Sequence, residues 1–329
     1  MSMPSVGVSR APRTGTRKPM NHFLSITDLT VEGVQQIFAL AKALKREVKM
    51  GVYRDALAQK TLVMLFEKPS LRTRLSFEVA MTQLGGHAVY LGPDEVGLGT
   101  RESVADVARV ASSMGDMLLA RVFAHSTVFE LAKHAGVPVI NGLSDWEHPC
   151  QILADLFTIR ECKKKIQGLK LAFLGDGENN VAHSLVLAGV IQGMDVSVAS
   201  PKGYEVKDEI FVIAEHLTPR SGAVVSQTND PMEAAAGADI VYTDTWVSMG
   251  DEADRATRLR VFAPYQVNSW MLSHAKADAI FMHDMPASRG REVTEDVMDG
   301  AQSVVFQQAE NRLHVQKALL LWLFGKSDQ

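Results

Sequence analysis

The chain has 329 residues, of which 46% are hydrophobic and 22% are charged, and its formal net charge is −4. This composition is globular, and the length allows two domains of ordinary size. There is no basic excess for binding nucleic acid and no apolar run near the roughly 18 residues that span a bilayer, so neither partner is expected. The only cysteines are Cys150 and Cys162, which excludes a disulfide framework and predicts a reducing, cytoplasmic location.

The first twenty residues differ from the rest of the chain. They hold four basic residues and no acid, together with several Ser, Thr, Pro and Gly residues. This composition overlaps with that of an organellar transit peptide, but no strong apolar face accompanies the basic residues. We therefore interpret residues 1–20 as a disordered tail, with an upstream start codon and a true beginning at Met20 as the alternative.

A first series of alternating elements begins after residue 21. Residues 29–48 have helical apolar spacing, with Thr30 as the expected N-cap, and Gly85-Gly86 ends a later helix that carries Phe77. Further helical stretches are predicted near residues 103–113 and 126–135. The strand candidates between these helices are residues 61–66, 87–91, 116–121 and 137–140.

A second series follows a long helical segment that runs from residue 151 to about residue 165. Its strand candidates have the apolar composition of buried strands, and they are residues 169–174, 195–200, 223–226, 239–243 and 279–283. Alternation of strands and helices indicates parallel sheets covered on both faces. We therefore predict an α/β protein with two doubly wound domains and a binding site in the cleft between them. The apolar residues 318–324 predict a packing helix.

One polar stretch, residues 66–74, lies between a predicted strand and the start of a predicted helix. Unpaired N–H groups and the positive end of the helix dipole favour an anion there. Ser70 and Thr73 add hydroxyl groups, and Arg72 adds a planar fork that can bind phosphate oxygens in pairs. Arg74 fits a solvated helix arginine equally well.

Several motifs occur together in a fixed order, and as a set they are much more specific than any one of them. They are Ser70-x-Arg72-Thr73-Arg74, His148-Pro149-Cys150-Gln151 with Asp155-Leu156, Asp176-Gly177-Glu178-Asn179-Asn180, Asp244 with Ser248-Met249-Gly250, His283 to Gly290, and Glu310-Asn311-Arg312. This set resembles the aspartate/ornithine carbamoyltransferase family, over nearly everything from Asn21 onward. The resemblance implies that residues 21–152 plus 308–329 bind carbamoyl phosphate, that residues 153–307 bind ornithine, and that long helices join the two domains.

The resemblance also implies roles for individual residues. In carbamoyl transfer the donors aimed at the carbamoyl oxygen should matter most, and the expected catalytic residues are Thr73, Arg121, His148 and Asp284. The expected carbamoyl-phosphate residues are Ser70, Leu71, Arg72, Thr73, Arg121, His148, Gln151, Met285 and Arg312, with Gln151 and the Met285 carbonyl holding the carbamoyl amide and Met285-Pro286 in the cis form. The expected ornithine residues are Asn180, Asp244, Ser248 and Met249.

The implied reaction converts carbamoyl phosphate and L-ornithine into L-citrulline and phosphate, within arginine metabolism and in a homotrimer. An alkyl ammonium has a pKa of about 10.4, so the amine must lose a proton before it attacks; we expect the leaving phosphate to accept it. Neither metal nor cofactor is expected. The histidines and cysteines lack metal-ligand spacing, and Gly175-Asp176-Gly177 is an incomplete dinucleotide motif.

The sequence departs from the family's pattern at three positions. Leu71 stands where Ser or Thr is usual, and Gly97 stands where ornithine enzymes commonly carry Gln in a loop that reaches a neighbouring subunit. Asp284 replaces the usual cysteine near the reacting amine. We hypothesise that this carboxylate binds an ammonium more strongly, raises its pKa and alters the amine affinity or pH optimum.

Three other interpretations remain open. The acceptor could be putrescine or a modified ornithine, although Ser248-Met249-Gly250 favours ornithine. The chain could be a weakly active paralogue that binds phosphorylated metabolites, which the departures at Leu71, Gly97 and Asp284 would suit. A Rossmann-type oxidoreductase ranks last.

Overall fold

The computed structural model describes residues 21–247 and 252–327. The predicted tail, residues 1–20, and the motif Ser248-Met249-Gly250 lie outside the described residues. Within the described part, the strands form two sheets, and every strand pair in them is parallel. The predicted α/β class with two doubly wound sheets is therefore confirmed.

The first sheet has four strands in the order β2-β1-β3-β4. These strands are β1 (Thr61–Phe66), β2 (His87–Leu91), β3 (Met117–Arg121) and β4 (Val139–Leu143). The helices of this part are α1 (Val31–Lys49), α2 (Leu71–Gln83), α3 (Pro93–Val96), α4 (Val104–Met114) and α5 (His125–His134). Thr30 caps α1 as predicted, because its side chain accepts the N–H of Gly33.

The second sheet has five strands in the order β7-β6-β5-β8-β9. Its strands are β5 (Lys170–Leu174), β6 (Asp195–Ala199), β7 (Val225–Thr228), β8 (Ile240–Tyr242) and β9 (Ile280–Met282). The helices between and after these strands are α7 (Asn180–Ile191), α8 (Asp208–Ser221), α9 (Pro231–Ala235), α10 (Arg255–Phe262), α11 (Ser269–Leu272) and α12 (Glu295–Met298).

The central strands β1 and β5 are buried on both faces of their sheets, and successive side chains of each strand point to opposite faces. In β1, Leu62 and Met64 enter one apolar cluster, whereas Val63 and Leu65 enter another. The first of these clusters continues through Leu171 and Phe173 of β5. One apolar core therefore extends across both sheets.

Two long helices join the sheets. Helix α6 (Pro149–Lys163) leads from the first sheet to the second, and α13 (Val305–Leu323) returns to pack against α1, α2 and α6. On that return, the Lys317 ammonium donates to the Gln83 side-chain oxygen over 2.9 Å. The apolar residues 318–324 thus belong almost entirely to a packing helix, as predicted.

Strand β7 corrects the sequence interpretation. We predicted a buried strand at residues 223–226, but the strand is Val225–Thr228, and Ser226 and Gln227 are exposed. It pairs with β6 alone and forms an edge of the sheet. An edge strand needs one apolar face at most. The short apolar run at residues 223–225 does not distinguish such an edge strand from a buried central strand.

In both sheets, the chain reverses its winding direction beside the first strand. The sheet order places β1 next to β3 and β5 next to β8. In open α/β sheets, ligands bind outside the carboxyl ends of the strands at such reversal points. Among the described helices, none has both the length and the apolar character needed to cross a membrane.

Candidate active site

A cavity of about 390 Å³ lies where the carboxyl ends of the two sheets face each other. Its walls come from the segments that follow strands of both sheets, together with His148 at the start of α6 and Arg312 of α13. Most of the predicted site residues line it: Ser70, Leu71, Arg72, Arg121, His148, Asn180, Asp244, Asp284, Met285 and Arg312. Thr73 and Gln151 do not line the cavity; both are fully buried behind its wall.

The start of helix α2 forms one wall of the cavity. Ser70 is the N-cap, and its hydroxyl oxygen accepts the N–H of Thr73 over 3.3 Å. The N–H groups of Leu71 and Arg72, in the first turn, have no carbonyl partner within the helix and remain available to an anion. The Leu71 side chain is 73% exposed and therefore does not cover these groups.

Arg74 lies on the same helix but does not line the cavity. Its guanidinium pairs with Glu78 over 2.9 Å and lies 4.0 Å from the centre of the Tyr90 ring. These contacts support the interpretation of Arg74 as an ordinary helix arginine, and they make it a useful control for the arginines of the cavity.

Three arginines, Arg72, Arg121 and Arg312, converge on the cavity. Arg312 donates to the Thr73 hydroxyl over 2.8 Å, which fixes its side chain in place. The Nε atoms of Arg121 and Arg312 are buried, and within the described part of the chain neither has a hydrogen-bond partner. Burial of unsatisfied donors is costly, so these atoms mark the place of an oxygen-rich ligand.

The electrostatics of the arginine cluster favour an anion. Burial, together with the charges of Arg312 and Arg72, lowers the pKa of Arg121 to about 10. Asp284 is the acid that opposes these effects. A dianionic phosphate would offset the mutual repulsion, and each guanidinium could bind two of its oxygens.

His148 is held at the start of α6 with its imidazole buried. Its backbone N–H donates to the Ser184 hydroxyl over 2.9 Å, and its Nδ1 has no partner among the described residues. Burial, reinforced by Arg312 and Arg121, keeps the pKa of His148 well below its ordinary value. The imidazole is therefore neutral and can donate one N–H to an oxygen on which negative charge develops.

The opposite wall carries two carboxyl groups, Asp244 and Asp284. The oxygens of Asp244 accept the N–H of Thr245 and the side-chain amide of Asn179, each over 2.6 Å. Ligand-type atoms of Asp244, His283 and Asp284 all lie within 4.8 Å of one another. The spacing of these residues in the sequence does not reveal this cluster.

The pKa values of the two carboxyl groups, Asp244 and Asp284, are shifted in opposite directions. Burial, followed by the charge of Asp284, raises the pKa of Asp244 well above its ordinary value. Burial also opposes ionisation of Asp284, but contacts with His283 and Asp244 outweigh it and lower the pKa of Asp284 to about 2. The pair therefore holds one proton, chiefly on Asp244, and a single net negative charge.

Asn180 and Met285 approach the cavity from the second sheet. Asn180 donates its side-chain amide to the Ser144 carbonyl over 2.5 Å, so it ties the start of α7 to the segment after β4. The N–H of Met285 donates to His283 Nδ1 over 2.8 Å, and the Met285–Pro286 peptide bond is cis, as expected from the resemblance.

Sequence reasoning missed several residues of the cavity wall. Asn179 caps α7 through its side-chain oxygen and holds Asp244 through its nitrogen; its place inside the quoted motif was the available signal. Lys68 belongs to the predicted phosphate stretch and lies 4.3 Å from the centre of the Phe123 ring. The other missed residues, Pro69, Leu143, Thr245, Val247 and Pro286, carry no ionisable side chain that would have singled them out.

Gly97 lies outside the cavity wall, in a left-handed backbone conformation. Its φ is +55°, and a Cβ atom would stand 2.9 Å from the Cβ of Arg101. Such a contact forces the loop to shift, and side chains rarely adopt this backbone conformation. This loop therefore has a local shape that suits glycine.

Comparison with known proteins agrees with the architecture and the site. Residues 21–161 match the family description "Aspartate/ornithine carbamoyltransferase, carbamoyl-P binding domain", and residues 167–323 match the corresponding Asp/Orn binding domain. Ornithine carbamoyltransferase from Anoxybacillus flavithermus is 53% identical over 301 residues, covering 92% of this chain and 96% of that protein.

Solved structures give the same result. The structure of ornithine carbamoyltransferase from Pyrococcus furiosus has a TM-score of 0.90 and 50% identity, covering 92% of this chain and 97% of that one. The anabolic enzyme from Campylobacter jejuni has a TM-score of 0.87 and 41% identity, covering 93% and 100%. The resemblance read from the ordered motifs is confirmed, and the chain belongs to the aspartate/ornithine carbamoyltransferase family.

Proposed function

We propose that this protein transfers the carbamoyl group of carbamoyl phosphate to the δ-amino group of L-ornithine, forming L-citrulline and phosphate. One observation carries the proposal: arginines with unsatisfied buried donors meet at the start of α2, and a negatively charged carboxyl pair faces them across one cavity. Such a site suits a dianion on one side and an ammonium on the other. The named relatives support ornithine as the acceptor.

The phosphate end is assigned to the first sheet and to α13. Ser70, the N–H groups of Leu71 and Arg72, and the guanidinium groups of Arg72, Arg121 and Arg312 would bind the phosphate oxygens. Residues 21–152 plus 308–329 would thus form the carbamoyl-phosphate domain. Because Leu71 has no side-chain hydroxyl group, it would bind the phosphate through its backbone N–H alone.

The carbamoyl group would lie between the phosphate and the carboxyl pair. Thr73, Arg121 and His148 would polarise the carbamoyl oxygen, so that the negative charge of the tetrahedral intermediate meets donors already in place. Gln151 and the Met285 carbonyl would accept the N–H groups of the carbamoyl amide. Gln151 is suited to this role because its Oε1 has no partner among the described residues.

Ornithine would bind to residues 153–307. Asn180, Ser248 and Met249 are proposed to hold its α-carboxylate and α-amine, and Asp244 and Asp284 to face its amines. The lone pair of the δ-nitrogen would attack the carbamoyl carbon, and the carbon–oxygen bond to phosphate would then break. The proton released by the nitrogen would leave on the phosphate, so that charge and atoms balance.

We further propose a cytoplasmic homotrimer with a biosynthetic role. An apolar groove of about 370 Å³ beside β1, β2 and α4 supports an assembly, because Val110 and Met114 on its wall are 52% and 78% exposed. A second copy would cover these side chains. The description of the Campylobacter jejuni relative as anabolic supports the biosynthetic direction.

The decisive experiment measures citrulline formation by the purified protein, with ornithine and putrescine compared across a pH series. We expect turnover with ornithine and little with putrescine, which lacks the α-carboxylate. Calorimetry at low salt should detect carbamoyl phosphate binding that Arg312→Ala abolishes and Arg74→Ala preserves. No heat with carbamoyl phosphate would overturn the proposal, whereas binding without turnover would identify a ligand-binding paralogue.

A further inference from the structure

A buried polar network lies directly behind the cavity, and the reaction described above does not use its centre. The centre is Asp155 on α6, whose carboxylate accepts three hydrogen bonds. The donors are the side-chain amides of Gln151 and Gln308, each over 2.8 Å, and the Tyr242 hydroxyl over 2.9 Å. All four residues have no solvent exposure, and they come from α6, α13 and β8.

The hydrogen bond to the Asp155 carboxylate fixes the orientation of the Gln151 side-chain amide. An ionised carboxylate accepts hydrogen bonds but donates none. Gln151 must therefore turn its nitrogen towards Asp155, which leaves its oxygen at the other end of the amide group, pointing away from Asp155. That oxygen, Oε1, is buried and has no partner in the described part of the chain.

The same carboxylate orients a second amide. Gln308 donates its nitrogen to Asp155 and to the Tyr242 hydroxyl, the latter over 3.0 Å. Its oxygen is thereby left to accept the backbone N–H of His283 over 3.0 Å. His283 begins the turn that carries Asp284 and Met285, so Asp155 acts on both walls of the cavity.

We infer that Asp155 is a positioning residue that makes the site select a carbamoyl group over an acyl group, by fixing the acceptor oxygen of Gln151 towards the substrate amide. This inference rests on the proposed function. A carbamoyl NH₂ needs acceptors, whereas a methyl group in its place offers no donor. Burial raises the pKa of Asp155 to about 7 although the hydrogen bonds from Gln151, Gln308 and Tyr242 act to lower it, so these three donors keep the ionised carboxylate accessible at this buried position.

The test uses two ligands that share a phosphate but differ in this one group. Carbamoyl phosphate carries NH₂ where acetyl phosphate carries CH₃. Calorimetry should show that the wild-type protein binds carbamoyl phosphate more tightly. In Asp155→Asn, the new amide can accept from the Gln151 nitrogen or donate to the Gln151 oxygen, so Gln151 is no longer held in one orientation. The preference should therefore fall about tenfold, mainly through weaker carbamoyl phosphate binding.

Matched variants separate positioning from general damage. Tyr242→Phe removes one donor from Asp155 without touching Gln151, and it should keep the preference within about twofold of wild type. Gln151→Leu should lose the preference, and adding Asp155→Asn to it should cause no further loss, because both changes act through one amide. Asp155→Leu, which fills the same space without an acceptor, replaces Asp155→Asn if that variant does not fold.

Each outcome decides the inference. Equal weakening of both ligands in Asp155→Asn would reduce Asp155 to a structural role and overturn it, as would an unchanged preference. A further loss when Asp155→Asn is added to Gln151→Leu would contradict action through Gln151. If the wild-type protein binds neither carbamoyl phosphate nor acetyl phosphate, the proposed function itself is wrong, and this inference is wrong with it.

Discussion

Replacing Asp284 with cysteine, the usual residue of the family, should change the affinities for the two substrates in opposite directions. Asp284 is the ionised member of the carboxyl pair, and its charge opposes the lowering of the Arg72 and Arg121 pKa values that burial causes. It attracts an ammonium on one side and weakens the field of the arginines on the other. A neutral thiol at this position should therefore weaken ornithine binding and strengthen carbamoyl phosphate binding.

The magnitude follows from Coulomb's law with the screening of a partly hydrated site. Two unit charges about 4 Å apart interact by about 4 kcal/mol at an effective dielectric constant of 20, which is an upper limit. Nearby arginines oppose the attraction for an ammonium, so we expect a loss of about 1 to 2 kcal/mol. This corresponds to a KM for ornithine raised roughly tenfold, and carbamoyl phosphate should bind several-fold more tightly.

The pH profile provides an independent measure. A nearby carboxylate raises the pKa of the bound amine, and the amine must be neutral to attack. In the Asp284→Cys protein, the rising limb of kcat against pH should therefore move about one unit towards lower pH. Steady-state citrulline assays from pH 6 to pH 10 would measure this shift, and calorimetry would measure carbamoyl phosphate affinity separately.

Asp284→Asn is the matched control, because it removes the charge while keeping the shape of the side chain. Both variants should behave alike if charge is the cause. Weaker binding of both substrates would indicate damage to the turn at His283 instead. An unchanged ornithine KM together with an unchanged pH profile in Asp284→Cys would show that the reasoning is wrong.

Two further predictions test the arginine cluster and a buried acid. Arg312→Lys loses the planar fork and the contact with Thr73, so calorimetry should find carbamoyl phosphate binding weakened about 30-fold, and unchanged affinity would contradict its role. Burial raises the pKa of Glu147 to about 7, so the folded state binds a proton on this carboxyl group more tightly than the unfolded chain does. The stability that this proton contributes is present at low pH and is lost as the pH rises through about 7. Between pH 5 and pH 8, the free energy of unfolding should therefore fall by about 2 kcal/mol less in Glu147→Gln than in wild type, as measured by urea titration. An equal fall in the two proteins would contradict this prediction.

Much of the fold was predictable from the sequence. Parallel strands covered on both faces are short continuous apolar runs, and for this reason residues 61–66 and 87–91 were located with their observed bounds. The edge strand β7 was displaced by two residues and is half exposed, because an edge strand does not require that composition. Strand β4 also began two residues later than predicted, just after Pro138, which has no N–H for pairing.

The candidate site was predictable only as far as its motifs extend. The family resemblance assigned Arg72, Arg121 and Arg312 to one site although they lie far apart in the chain, and of these only Arg72 and Arg312 belong to the ordered motifs. Their order could not reveal that Gln151 lies behind the wall, nor that Asp155 contacts Tyr242 and Gln308, which are 87 and 153 residues away. Contacts of this kind depend on how α6 and α13 pack, and no local pattern encodes that packing.

The return of α13 to the first sheet also bears on how the protein is made. Arg312 reaches the Thr73 hydroxyl across 239 positions of the chain. During translation the strands of the first sheet emerge early, but the apolar surface that α13 covers waits until the whole second sheet has been synthesised. The anion site is thus among the last features to be completed, and a nascent chain halted before Val305 has neither its third guanidinium nor the helix that shields its core.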